Sequence, residues 1–189
     1  RVVLAANSQF VGAYTLWEPQ AFDAKDSDFA DTLGHDASGR FIPYWNRGGI
    51  NGAIQLDPLL DYETPGIGDY YLIPRNTQQE SIIDPYVYPI GGKDVLLTSL
   101  VVPITVDGQF YGITGVDLKV DFLQGLADEV NIYNGAGRLQ LISNNGTIAA
   151  ATGQPELAGK NISETRTDSA DLLAMIHGKT EQASVVGDM

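Results

Sequence analysis

The sequence predicts an α+β chain of two consecutive antiparallel-sheet modules, on three observations. Asp107-Gly108 stands between two apolar runs, 95–106 and 109–118, and Asp-Gly favours the positive φ of a two-residue hairpin turn. After Asp117 the apolar period changes, and Val120, Leu123, Leu126, Ala127 and Val130 share one helical face. A second turn signal, Asn145-Gly146, then joins 139–143 to 147–151. This order of sheet, helix and smaller sheet divides the 189 residues into 1–120 and 121–189, the second module being incomplete.

The elements follow from local patterns. Val2, Val3, Ala6, Phe10 and Val11 fall at helical spacing, so 2–11 reads as the last turns of a helix begun upstream. Gly12 breaks it, and 13–17 reads as a strand closed by Pro19. The polar stretch 23–32 predicts a short surface helix. Asp36-Ala37-Ser38-Gly39 is a turn before a strand at 40–45. Residues 46–66 predict a long loop with one short helix near 56–60, and loops of that length tend to be functional. Residues 68–71 open a further helix or turn that Pro74 limits. A strand at 82–89 enters the main hairpin through Gly91-Gly92, giving a sheet of four or five strands. A helix at 168–177 and a strand at 184–186 complete the chain.

Composition narrows the function. With 11 Lys and Arg against 24 Asp and Glu, the net charge is −13, which argues against nucleic acid because phosphate binding needs clustered cations. Cysteine is absent, removing thiol chemistry, disulfides and zinc–thiolate sites. No apolar run reaches the roughly eighteen residues of a bilayer span. The chain opens at Arg1 with neither Met nor signal peptide, and reads as a module of a longer protein.

Signals for catalysis are thin. The chain has no Gly-x-Ser-x-Gly elbow, no Walker loop and no Gly-x-Gly-x-x-Gly. His35 and His177 are far apart and read as surface or helix-end residues. Asp57, Asp61, Glu63 and Asp69 either offer oxygens to a divalent cation or form a solvated acidic face; their spacing does not fit an EF-hand. A hydrolase using Asp61 and Glu63 would need a buried, asymmetric carboxyl pair, of which the sequence shows none. No catalytic residue, metal ligand or cofactor is therefore expected.

Aromatic residues supply the stronger signal. Trp45, Tyr62, Tyr70, Tyr71, Tyr86 and Tyr88 crowd the block before the main hairpin, more than one sheet face needs. Tyrosine faces attract cations while their hydroxyls orient polar groups. Asp117 lies near the end of the second hairpin strand, where a carboxylate is costly unless paired. Two readings stay open: a buried acid facing a cation, or an acid satisfied by amides at the start of the following helix.

The run Asp69-Tyr70-Tyr71, then Asp84-Pro85-Tyr86-Val87-Tyr88, Thr98 to Pro103, Gly108-Gln109-Phe110-Tyr111-Gly112 and Gly115-Val116-Asp117-Leu118 resembles the double Cache sensor domain. That family supplies extracytoplasmic parts of chemoreceptors, sensor histidine kinases and cyclic-dinucleotide enzymes. The resemblance implies a long N-terminal helix, truncated here, a membrane-distal PAS-like module that holds the ligand and a membrane-proximal one. In amino-acid-sensing members a Trp-Tyr pair follows a carboxylate-binding arginine, and a Pro-Tyr-x-Asp segment with a later Asp holds the ammonium. Tyr70 and Tyr71 fall on the Trp-Tyr pair, Tyr86 and Tyr88 on the Tyr and Asp, and Asp117 on the last acid. Gly68 stands in the arginine's place, and Tyr88 replaces an acid; Arg40, Arg47 and Arg75 are the candidates for a replacement cation.

The resemblance therefore implies a non-catalytic sensor, periplasmic or extracellular, in a membrane-anchored, homodimeric chemoreceptor or histidine kinase. The expected ligand is a small amine-bearing molecule such as an amino acid or amine, held by Trp45, Tyr62, Tyr70, Tyr71, Tyr86, Tyr88 and Asp117. The alternatives are a small carboxylate, or docking without a small-molecule ligand.

Overall fold

The computed structural model describes residues 1–130 and 133–181. Two compact units, Arg1–Val120 and Asp121–Met189, divide the chain. The first is an antiparallel sheet with a tyrosine-rich core, in the strand order β3-β2-β1-β7-β6-β4 with β5 also on β6. Its strands are β1 (Phe10–Trp17), β2 (Pro43–Asn46), β3 (Gln55–Pro58), β4 (Ser81–Ile82), β5 (Tyr86–Ile90), β6 (Lys93–Val106) and β7 (Gln109–Lys119), with helices α1 (Val2–Ala6) and α2 (Asp69–Thr77).

The main hairpin forms as its turn chemistry dictates. Asp107 and Gly108 both take positive φ, 51° and 77°, the geometry whose twist matches two paired strands. β6 and β7 then pair from Val106↔Gln109 to Leu97↔Lys119, and β1 covers the other edge of β7. Inward residues of these strands join Ile42, Leu59 and the tyrosines of α2 and β5 in one core.

Several local expectations are corrected by long-range pairing. The opening helix stops at Ala6, and Phe10 and Val11 belong to β1, because the backbone of 10–17 pairs with β7 while Val11, Tyr14 and Leu16 enter the core. Gly12 does not end an element; it lies inside β1 opposite both Asn46 and Asp117. The strand expected at 40–45 begins only at Pro43. Residues 55–58 form a strand on β2 rather than a helix, with Leu56 opposite Trp45. The stretch 23–32 holds a single 3-10 turn, Asp26–Asp28. α2 runs past the buried Pro74 to Thr77. Asp84-Pro85 splits the expected 82–89 strand into β4 and β5, both paired to β6.

In the second unit α3 (Asp121–Glu129) precedes a small hairpin of β8 (Gln140–Ile142) and β9 (Ile148–Ala151), then α4 (Ile162–Thr165) and α5 (Ser169–Gly178). Ile148, Ala151 and Ile162 form its core with Ile142, Leu157, Leu172 and Leu173. Gln124 of α3 bonds the backbone of Ala151 in both directions. The expected strand at 184–186 lies outside the described residues.

Candidate functional site

Asp117 is placed in the middle of the first sheet. β7 is an interior strand, and across it Asp117 faces Gly12 of β1 on one side and Ser99 of β6 on the other. Asp117 is 2 % exposed. Ser99 Oγ donates to its Oδ1 at 2.6 Å, and Tyr86 Oη lies 2.8 Å from Ser99 Oγ. Because the one Ser99 proton goes to Asp117, Tyr86 is the donor in the second bond. Burial pushes the Asp117 carboxyl up to about 6, against the opposing pull of Ser99 and the neighbouring Tyr44 hydroxyl. It does not cap a helix: β7 continues to Lys119 and α3 starts at Asp121, so that reading of the sequence falls.

Four tyrosines surround this acid, and a fifth, Tyr70, packs against three of them. Tyr14, Tyr44, Tyr70, Tyr86 and Tyr88 form a connected set of ring contacts with centroids 5.7–6.4 Å apart, most of them edge-to-face. Edge-to-face packing suits the ring quadrupole and locks the rings together. Tyr70 Oη donates to Leu60 O at 2.7 Å, and Leu60 N donates to Tyr88 Oη at 2.8 Å, so the loop before α2 is tied to the cage. Burial first, and then the charge of Asp117, raises the Tyr14, Tyr44 and Tyr86 hydroxyls well above their usual range. The cage thus offers one acid, neutral hydroxyls and aromatic faces. Such a set attracts a small cation.

Gly12 makes the close packing possible. A Cβ at this position would run into the Tyr44 ring and come within 2.5 Å of Asp117 Oδ2. A cleft of about 470 Å³ opens beside the cage between Gln55, Asp57, Leu60 and Pro89, with Tyr44 and Tyr88 also in its wall. Asp117 itself does not line this cleft. A larger apolar cleft, about 590 Å³, is lined by Ile82, Leu100, Val102, Thr114 and Val116. Leu100 and Val102 are exposed while Ser99 and Val101 are buried, so alternation puts this cleft on the face of β6 away from the tyrosines.

The expected site residues divide into three groups. Tyr70, Tyr86, Tyr88 and Asp117 come together. Tyr62 and Tyr71 instead meet edge-to-face beside Arg40, whose guanidinium lies 5.0 Å from each ring centroid. Arg40, 4 % exposed, donates to Glu18 at 2.9 Å, to Tyr71 Oη at 2.7 Å and to the Trp17 carbonyl. Tyr71 donates to Glu18 at 2.5 Å, and Tyr62 to Asp36 at 2.6 Å. Trp45 follows the buried Tyr44 in β2, and strand alternation turns it to the other face. Adjacent residues on a helix or strand diverge, so neither Tyr70-Tyr71 nor Tyr44-Trp45 acts as a pair.

Tyr14, Tyr44 and Ser99 were missed. They sit on strands far from Asp117 in sequence, and alternation within β1 and β2 was the available signal. The three candidate arginines are occupied elsewhere. Arg40 is held in its clasp, Arg47 donates to the carbonyls of Leu4, Asn7 and Phe10, and Arg75 pairs with Glu63 at 3.4 Å. The carboxylates of 57–69 are likewise dispersed: Asp57 accepts from Asn46 and Gln55, and Asp69 from Gly66 N. Among the described residues no three His, Asp or Glu side chains converge on a metal position.

Residues 1–125 match the family model of the methyl-accepting chemotaxis protein-like first PDC sensor domain; the chain belongs to that family. It is 30 % identical to the methyl-accepting chemotaxis protein TlpQ of Pseudomonas aeruginosa, over 93 % of this chain and 26 % of that protein. The extracellular domain of the putative histidine kinase mmHK1S-Z3 superposes with a TM-score of 0.82 at 30 % identity, over 95 % of this chain and 63 % of that one. Methyl-accepting chemotaxis protein X superposes with a TM-score of 0.67 at 25 % identity, over 90 % and 63 %. The chain thus spans about a quarter of the chemoreceptor's length.

Proposed function

We propose that this chain is the extracytoplasmic, ligand-binding part of a membrane-anchored chemoreceptor or sensor histidine kinase, and that the tyrosine cage takes a small amine-bearing ligand. The observation that carries the ligand class is Asp117, an acid buried beside a cluster of five tyrosines with Arg40, Arg47 and Arg75 all engaged elsewhere. A ligand carboxylate would meet an acid there and no guanidinium, which favours an amine over an α-amino acid and disfavours a simple carboxylate.

In this reading residues 1–120 form the membrane-distal module and 121–189 begin the membrane-proximal one, in a homodimeric receptor. Binding transmits a signal only so far as the ligand prefers one conformation of the module over the other. The fragment itself performs no chemistry.

Calorimetry with simple amines, amino acids and carboxylates tests the reading. Amines are expected to bind, and Asp117→Ala to remove most of the affinity, because an ammonium would then be buried unpaired at about 3–5 kcal/mol. Unchanged affinity in a folded Asp117→Ala protein would reject the assignment.

A further inference from the structure

Two hydroxyls of the cage lack a hydrogen-bond partner. Tyr14 Oη and Tyr44 Oη are buried and make no hydrogen bond of good geometry, although Tyr44 Oη stands close enough to Asp117 to draw its carboxyl down, whereas those of Tyr70, Tyr86 and Tyr88 are satisfied by Leu60 and Ser99. A buried hydroxyl without a partner forfeits its hydration with nothing in return, and here two occur side by side. Tyr14 and Tyr44 are direct partners across β1 and β2, so their side chains share a face.

Both hydroxyls lie toward the same acid. Tyr44 Oη and Asp117 Oδ2 stand above Gly12, each 2.5 Å from where its Cβ would be. Tyr14 Oη lies above Gly115, 2.6 Å from the corresponding point. Gly115 precedes Asp117 by two residues in β7 and so presents the same face. Ser99 occupies Oδ1, which leaves Oδ2 beside Tyr44 Oη, with Tyr14 the next ring on the same face.

We propose that Asp117 Oδ2 and the hydroxyls of Tyr14 and Tyr44 form a three-acceptor seat for one primary ammonium group and discriminate against N-methylated ammonium. The proposal rests on the amine reading above and adds the number of N–H donors that the ligand must bring. A primary ammonium has three donors for three acceptors. Each methyl removes a donor and leaves a buried hydroxyl unpaired, and sites built to hydrogen-bond a group reject the analogue that lacks it. The tyrosine faces alone make no such distinction, since cation–π attraction accepts a methylated cation readily.

The test is calorimetry and thermal melting with n-butylamine and N,N,N-trimethylbutylammonium on wild type, Tyr14→Phe and Tyr44→Phe. Wild type is expected to prefer n-butylamine by more than tenfold. Each Phe substitution is expected to weaken n-butylamine about 5–10-fold, the value of one hydrogen bond, and to narrow the preference. The same substitutions should leave the melting temperature of the free domain unchanged or higher, because each deletes an unpaired hydroxyl. Equal or tighter binding of the trimethylated cation to wild type would overturn the seat while leaving the amine reading intact. So would unchanged n-butylamine affinity in both Phe variants, which would assign the hydroxyls to buried water. Failure of wild type to bind either cation would remove the amine reading itself.

Discussion

Ser99 and Asp117 face each other directly across β6 and β7, and the serine hydroxyl donates to the aspartate at 2.6 Å. The same hydroxyl accepts from Tyr86, so one small side chain joins the cage wall to its acid. A strand acid without such a donor would meet the full cost of burial.

Ser99→Ala should therefore depend on pH in its effect. At pH 8, with Asp117 ionised, losing the donor is expected to cost about 2–3 kcal/mol. At pH 5 the acid is mostly protonated and the loss should fall by about half. Urea denaturation at both pH values measures it, and equal losses would contradict an ionised Asp117 at pH 8.

Stability itself should decline as Asp117 ionises. Its carboxyl is raised from 3.8 to about 6 by burial, so the folded state holds the proton more tightly than the unfolded chain. The resulting stabilisation is complete below about pH 4 and is lost as pH rises through about 6, roughly 3 kcal/mol in all. The groups facing this acid, Tyr14, Tyr44, Tyr86 and Tyr88, have raised hydroxyls and stay neutral there. Between pH 5 and 8, wild type should lose about 1.5 kcal/mol relative to Asp117→Asn. Parallel denaturation curves for the two proteins would show that the acid is not perturbed.

Amine affinity should move in the opposite direction. An ammonium needs the carboxylate, so binding is expected to weaken about tenfold per pH unit below about 6 and to level off above it. Calorimetry from pH 4.5 to 8 checks this, and a flat profile would separate the ligand from Asp117.

The Arg40 clasp is expected to act as one unit. Arg40→Met leaves Glu18 partly buried without its cation and should cost about 3–5 kcal/mol. Tyr71→Phe removes a hydroxyl shared by Arg40 and Glu18 and should cost about 1–2 kcal/mol. The double variant should lose less than the sum of the two. Additivity within about 0.3–0.5 kcal/mol would show the contacts to be independent.

Two glycine-to-alanine changes should have opposite signs. Gly12→Ala drives a methyl into Tyr44 and Asp117 and should destabilise by about 1–3 kcal/mol. Gly125 lies inside α3 with nothing within 4 Å of a Cβ, so Gly125→Ala should stabilise by about 0.5–1 kcal/mol. Thermal melts of each variant report the signs, and a neutral Gly12→Ala would deny the close packing over β1.

What the sequence determined by itself was local. The Asp107-Gly108 and Gly91-Gly92 turns, the helix after Asp117 and the second hairpin rest on conformational preferences of adjacent residues, and Asp107, Gly108, Gly91 and Gly92 all take positive φ. Resemblance and spacing also named Tyr70, Tyr86, Tyr88 and Asp117 together, which the fold gathers around one acid. Only the tertiary structure decided which other side chains reach that point. Tyr14 and Tyr44 arrive through the pairing of β1 with β2 and β7, and Ser99 through the register of β6 on β7. Tyr71 and Trp45 leave because a one-residue step turns a side chain to another face. The physical reason is that turns are governed by the φ preferences of neighbouring residues, whereas a site is governed by register between strands distant in sequence, where a slip of one residue would turn Asp117 out of the cage.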